Sequence, residues 1–153
     1  MISLYNESYQ PITSKNIVLV GGCFDVLHYG HLCFLKKAKA LGEHLIVALE
    51  SDFTLVETKN RKVFHTQDQR AEILDSLSFI DEVLTLPPMT SDHSYLELVQ
   101  LISPRVIALT QGDPRAHNKE QQAKSVGASC VFIPFEKGFS TTDLLDKYNV
   151  SAK

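Results

Sequence analysis

The sequence predicts an α/β protein, with one doubly wound parallel sheet of five strands in a single domain over residues 1–153. Three observations carry that expectation. Short, nearly unbroken apolar runs recur, among them Ile17-Val18-Leu19-Val20, Leu45-Ile46-Val47-Ala48-Leu49 and Val106-Ile107-Ala108-Leu109. Unbroken runs, unlike alternating ones, belong to strands covered on both faces. Segments of helical period separate the runs, and glycine-rich or polar stretches follow where each run ends.

Composition narrows the classes of function. A hydrophobic content of 44% and a charged content of 22% are ordinary for a soluble globular chain of one core. The net charge of −3 supplies no global basic field, which excludes binding of a nucleic-acid backbone as the main task. Phosphate binding, if present, must be local. Cys23, Cys33 and Cys130 are odd in number and widely spaced, as suits reduced thiols and neither a disulfide framework nor a zinc site. Met1 to Lys15 lacks a charged-then-apolar leader pattern and no apolar run approaches membrane-spanning length, so a cytoplasmic protein without a membrane partner is expected.

Taken in order, residues 1–15 are a polar lead-in, readable as an edge strand or a partner-facing arm, and Asn16 to Val20 is the first strand. Leu32, Leu35, Ala38 and Leu41 then follow helical spacing, with Lys36, Lys37 and Lys39 on the wet face and Gly42 as a stop. After the strand at Leu45–Leu49, residues 51–65 read as a polar loop carrying Lys59, Arg61 and Lys62. Thr66 and Gln69 have capping-box spacing and open a helix to about Leu77. Strands follow at Glu82–Leu86, Val106–Leu109 and Cys130–Ile133, with helices at Tyr95–Ile102 and Asn118–Val126. Ser140 and Asp143, again at capping spacing, open the last helix.

In such a sheet ligands bind outside the carboxyl ends of the strands. Gly22 to His31, Gly112-Asp113 and Gly138 to Thr142 all follow strands, and the Lys/Arg loop makes a fourth stretch on the same rim. His28 and His31 flank the first turn of a helix and can hold an anion, bind metal or cap the helix. Metal needs further ligands, and no local His/Cys/Glu cluster accompanies them. The Gly-Gly-x-Phe-Asp turn before them and Gly30 between them favour the anion. Ser140, Thr141 and Thr142 offer hydroxyls at a helix N-terminus, beyond an ordinary serine cap. Lys59 and Arg61 are candidates to reach phosphates from their loop. Arg70 sits in a first helical turn, where the dipole disfavours a cation, which points to a ligand or a buried acid nearby and makes it a catalytic candidate with His28, His31 and Lys59. Asp25 can form the turn through its side chain, hold a basic residue or meet Mg²⁺. Cys23 has the setting of an activated nucleophile, but it occupies the small-residue position of a phosphate turn.

The string Gly22-Cys23-Phe24-Asp25-Val26-Leu27-His28-Tyr29-Gly30-His31 resembles the signature of the cytidylyltransferase-like nucleotidyltransferase superfamily, whose hallmark is His-x-Gly-His. Gln69 to Leu74, Phe79 to Val83 and Gly138 to Thr142 extend the likeness over about Asn16 to Tyr148. The resemblance implies a Rossmann-like fold of nucleotidyltransferase type. It also implies an enzyme that joins a nucleoside triphosphate, ATP or CTP, to a phosphorylated small molecule and releases pyrophosphate, with Mg²⁺ carried on the triphosphate and a homodimer as the common assembly. By the same resemblance His28 and His31 bind the triphosphate, Lys59 or Arg61 reaches its phosphates, Ser140 to Thr142 hold the β and γ groups, and Gly112-Asp113 border the nucleoside. Phe135 to Thr142 is similar to the adenylyltransferase domain that activates heptose 1-phosphate, whereas Thr110-Gln111-Gly112-Asp113 and Pro114-Arg115 depart from that group. Ser78-Phe79-Ile80-Asp81 lacks the arginine of glycerol-3-phosphate cytidylyltransferases, and FAD synthases share the histidine motif. A nucleotide-binding sensor without turnover is the alternative from another class.

Overall fold

The computed structural model describes residues 1–60 and 62–149, and the side chains of Thr58, Lys59, Thr141, Leu145 and Asn149 fall outside what is described. Six strands form its sheet: β1 (Ile2–Leu4), β2 (Ile17–Gly22), β3 (His44–Leu49), β4 (Glu82–Thr85), β5 (Val106–Thr110) and β6 (Ser129–Ile133). They lie in the order β1-β4-β3-β2-β5-β6, and every neighbouring pair is parallel. The alternation of side chains along each strand divides them between two cores. Val18, Val20, Leu45, Val47 and Leu49 face one, and Ile17, Leu19, Ile46 and Ala48 face the other. Both faces are therefore apolar, which is why the runs are unbroken.

The expected count of five strands is corrected to six by β1. Three residues at a sheet edge, with Ile2 and Leu4 largely exposed, leave too short a pattern to read in the sequence. The rest of the lead-in is no free arm. Tyr5, Tyr9 and Ile12 pack on the second core, and the Tyr9 hydroxyl donates to the buried Glu82 carboxylate at 3.2 Å.

Helices cover both faces. α1 (Tyr29–Lys39), α2 (Asp52–Lys59) and α3 (Gln67–Asp75) precede β4, while α4 (Asp92–Ile102), α5 (Ala116–Ser125) and α6 (Thr141–Asn149) come later. Leu35 and Ala38 of α1 and Ala71 and Leu74 of α3 enter the first core; Leu98, Val99 and Ile102 of α4 and Ala123 of α5 enter the second. Truncating a fully buried leucine such as Leu35 or Leu74 to alanine costs about 2–5 kcal/mol. The stretch expected as a polar loop at 51–65 instead contains α2. Ser51 caps it by accepting from the Thr54 amide at 3.2 Å, Leu55 is its buried anchor, and Asn60 ends it in the left-handed conformation. With Phe53 and Val56 half exposed, α2 shows almost no apolar stripe, so its period is invisible.

From the central β2 the chain builds outward through β3 to β4, then returns to place β5 on the other side of β2. The carboxyl ends of β2 and β5 thus flank the point where strand order reverses, and the crevice there is where this architecture binds ligands.

Candidate active site

Two adjoining cavities open in that crevice. The smaller, about 370 Å³, is lined by the end of β2, the first turn of α1 and the start of α6; the larger, about 560 Å³, reaches under α4 and α5. Gly21, Gly22, Thr110, Asp113 and Lys119 line both, so the two form one continuous site.

His28 is the N-cap of α1. Its Nδ1 accepts from the His31 amide at 3.4 Å, and the His31 Nδ1 accepts from the His28 amide at 3.3 Å. This is a capping box made of two imidazoles, with the rings stacked 3.8 Å apart. An Nδ1 that accepts carries no proton, so the neutral ring must carry it on Nε2. Burial lowers both pKa values, His31 to about 4 with the His28 ring as a second cause, while for His28 the Asp143 carboxylate partly opposes the shift. Capping and anion binding were alternatives in the sequence. Here capping uses Nδ1 and leaves each Nε2–H as a fixed neutral donor, with both rings lining the smaller cavity.

The turn before them is strained. Phe24 and Val26 have φ of 48° and 54°, which a β-branched residue strongly resists. Asp25 and Arg70 hold it in place. The Asp25 carboxylate accepts from the amides of Phe64 at 2.8 Å, His65 at 3.0 Å and Val26 at 3.1 Å. Burial alone would raise its pKa; those amides and the Arg70 charge outweigh burial and lower it. Arg70 is completely buried. Its guanidinium donates to the carbonyls of Cys23, Glu50 and His65 and to the Asp52 carboxylate at 2.7 Å. Direct contact between Arg70 and reacting groups is therefore not what the structure shows: every bond ties strand ends and loops together, and Asp52 and the carbonyls explain the cation in a first helical turn. Gly22, Cys23 and Phe24 line the smaller cavity, and a Cβ at Gly22 would lie 2.8 Å from the Phe24 ring.

α6 meets α1 head to head. A Cβ at Gly30 would lie 2.5 Å from the Phe139 carbonyl oxygen, so only glycine lets the two N-termini approach this closely. Tyr29 and Phe139 pack edge to face beside this contact, ring centroids 5.0 Å apart. Ser140 and Asp143 form the predicted cap, the Ser140 hydroxyl donating to Asp143 at 2.6 Å and accepting from its amide at 3.0 Å. Ser140 and Thr142 line the smaller cavity. The Ser140 hydroxyl being occupied, the open amides of the first turn are what this terminus presents. Thr141 opens the helix, but its side chain, that of Lys59 and the whole of Arg61 lie outside the described residues.

At the end of β5, Gly112 adopts φ 83° and Asp113 accepts from the Arg115 amide at 2.7 Å, starting α5. Asp113 also pairs with Lys119 at 2.7 Å. The larger cavity brings in Glu50, Tyr95 and Lys119, which the sequence did not single out, and Arg115, noted there only as a departure from one branch of the family. Glu50 carried a signal, since a charged residue directly after an unbroken apolar strand falls on the binding rim. Tyr95 carried none beyond its place in a helical stripe. Among the described residues no three or more His, Cys, Asp or Glu are arranged so that they could hold a metal ion. At its α1 and α6 end the smaller cavity presents hydrogen-bond donors, which suits an anion there.

The Cytidylyltransferase-like family model matches residues 19–146. The FAD synthases of Thermococcus sibiricus and Thermococcus kodakarensis are 37% and 41% identical over 77% of this chain and 80% and 79% of their own. The bifunctional protein HldE of Helicobacter hepaticus is 36% identical over 90% of this chain, which spans 27% of that longer protein. The crystal structure of the lipopolysaccharide core biosynthesis protein from Thermoplasma volcanium shares the fold, with TM-score 0.63 and 22% identity over 80% of this chain and 97% of that one. A pantoate-beta-alanine ligase from Francisella tularensis shares it at TM-score 0.60 and 18% identity, over 82% of this chain and 61% of that one. With a histidine-capped helix on the rim of a parallel sheet and these relatives, the chain belongs to the cytidylyltransferase-like family of nucleotidyltransferases.

Proposed function

We propose that this protein transfers a nucleoside monophosphate from ATP, or else CTP, to a phosphorylated small molecule, a sugar- or polyol-phosphate, and releases pyrophosphate. The observation that carries this reading is the convergence of two Nε2–H donors and two helix N-termini on one cavity that opens into a second. The acceptor's phosphate oxygen is already ionised near neutral pH, so no general base and no covalent enzyme intermediate is needed. That oxygen forms a bond to the α-phosphorus, the bond from α-phosphorus to the bridging oxygen breaks, and pyrophosphate leaves with the electron pair. The protein has to align the partners and stabilise charge on the departing oxygens. In this reading His28, His31 and the uncapped first-turn amides of α1 and α6 do that, Thr142 adds a hydroxyl, and Lys59 and Arg61 reach the phosphates. Mg²⁺ would ride on the triphosphate, neutralising its charge, because the donor-rich cavity fits the anion that carries it. Cys23 is a spacer in the phosphate turn.

A second acceptor, FMN, has its own support: the FAD synthases match this chain over about four-fifths of their length, 79–80%. FAD carries an adenylyl group, so ATP is the donor to test first. Thermal-shift measurements with ATP and CTP, with and without Mg²⁺, test the donor, a ligand at a hundred times its Kd adding about 2.7 kcal/mol. Pyrophosphate release over a panel of phosphorylated acceptors tests the reaction. Stabilisation by a triphosphate without release on any acceptor would favour a sensor.

A further inference from the structure

The larger cavity contains a buried carboxylate that transfer at the α-phosphorus does not use. Glu50, only 7% exposed, follows β3 and lines this cavity beside Leu19, Ala48, Leu86 and Val99. A carboxylate against such a wall loses solvation that its partners must replace. Both of its oxygens accept from the Tyr95 hydroxyl, at 2.8 and 3.0 Å, and the Arg115 charge lies beside that hydroxyl. Burial and the Glu50 charge hold the Tyr95 pKa far above its ordinary value, so the phenol remains a donor. One phenolic proton cannot fill two carboxylate oxygens, which offer about four lone-pair sites. The remaining capacity faces the cavity, and only groups that donate can use it.

The charge also sets a direction. Glu50 repels an acceptor phosphate, which leaves it the end of β2, where Lys119, paired with Asp113 at 2.7 Å, lines both cavities. That end adjoins the His28–His31 donors, where attack must occur.

We propose, building on the nucleotidyl-transfer reading, that Glu50 is the specificity residue for the acceptor. It takes hydrogen bonds from hydroxyls on the body of a sugar- or polyol-phosphate whose phosphate lies toward the end of β2, and it disfavours a body that offers no donor there. Tyr95 is a positioning residue that holds the carboxylate in line.

The test titrates the full chain, saturated with Mg²⁺ and a non-hydrolysable ATP analogue, with sn-glycerol 3-phosphate, D-mannose 1-phosphate, its 2-deoxy counterpart and FMN. The wild type is expected to bind at least one of the first two probes more tightly than FMN. Glu50→Gln should weaken that binding about tenfold or more and erase any preference over the deoxy analogue, with analogue affinity and Tm close to wild type. Tyr95→Phe should give a smaller loss of the same kind. The proposal is overturned if no hydroxylated probe binds while the ATP analogue does, if FMN binds best, or if Glu50→Gln binds the probes as the wild type does. Failure of the wild type to bind the analogue would overturn the nucleotidyl-transfer reading, and the assignment of Glu50 with it.

Discussion

Replacing Gly30 by alanine would put a methyl carbon 2.5 Å from the Phe139 carbonyl oxygen and 3.0 Å from the His28 ring. The oxygen belongs to the backbone just ahead of α6, so relief requires the two helix N-termini to separate by most of an ångström. Overpacking of this kind costs about 1–3 kcal/mol, and about 1 kcal/mol returns because alanine favours the helix more than glycine does. The net loss of stability is therefore small, about 0–2 kcal/mol. The chemical loss is larger, because the amides of α6 and the His28 Nε2–H no longer address the same phosphate chain, and one preorganised donor is worth about 10²–10³ in kcat. Gly30→Ala should thus unfold in urea within about 2 kcal/mol of wild type while losing at least a hundredfold in pyrophosphate release. A variant with wild-type turnover would refute the idea that close approach of α1 and α6 builds the site.

Three other outcomes follow from the same geometry. Arg70→Met leaves buried carbonyls of Cys23, Glu50 and His65 and the Asp52 carboxylate without their guanidinium, and should cost about 3–5 kcal/mol in chemical denaturation; a loss under about 1 kcal/mol would show that Arg70 does not tie the rim together. His31 has its pKa lowered from 6.5 to about 4, by burial first and by His28 second. The unfolded chain takes up this proton as pH falls through 6.5 and the folded chain only near 4, so the contribution is complete above pH 6.5 and declines below it, by on the order of 3 kcal/mol in all. His31→Asn should flatten the stability profile between those pH values, and an unchanged slope would contradict the assignment. Cys23→Ser should keep turnover within about threefold in the pyrophosphate assay, because the attacking oxygen comes from the acceptor; a loss of 10³ or more would return Cys23 to the chemistry.

The core strands were legible because burial on both faces removes the polar alternation that would mask a strand, as Ile17–Val20 and Leu45–Leu49 illustrate. β1 and α2 were not, each for lack of a readable apolar period: Ile2 and Leu4 sit on an edge, and α2 buries Leu55 while exposing Phe53 and Val56. Within the site, the histidine motif, Ser140 and Asp113 were legible because local spacing encodes caps and turns. Glu50, Tyr95, Arg115 and Lys119 gather from β3, α4 and α5, and no local spacing records which residues the sheet order will bring across a cavity. Arg70 was noticed through its misfit with the helix dipole. Its partners, distant carbonyls, could only come from the fold.

The claim on which the rest depends is attack at the α-phosphorus, guided by His28 and His31. It is tested most directly by ³¹P NMR of the products formed from MgATP and the panel of phosphorylated acceptors, for the wild type and for His28→Ala and His31→Ala. The account predicts equimolar pyrophosphate and an adenylylated acceptor containing a new P–O–P linkage, with rates in the two variants lower by about 10²–10³. ADP or inorganic phosphate as the primary product, or near-wild-type rates in both variants, would contradict it.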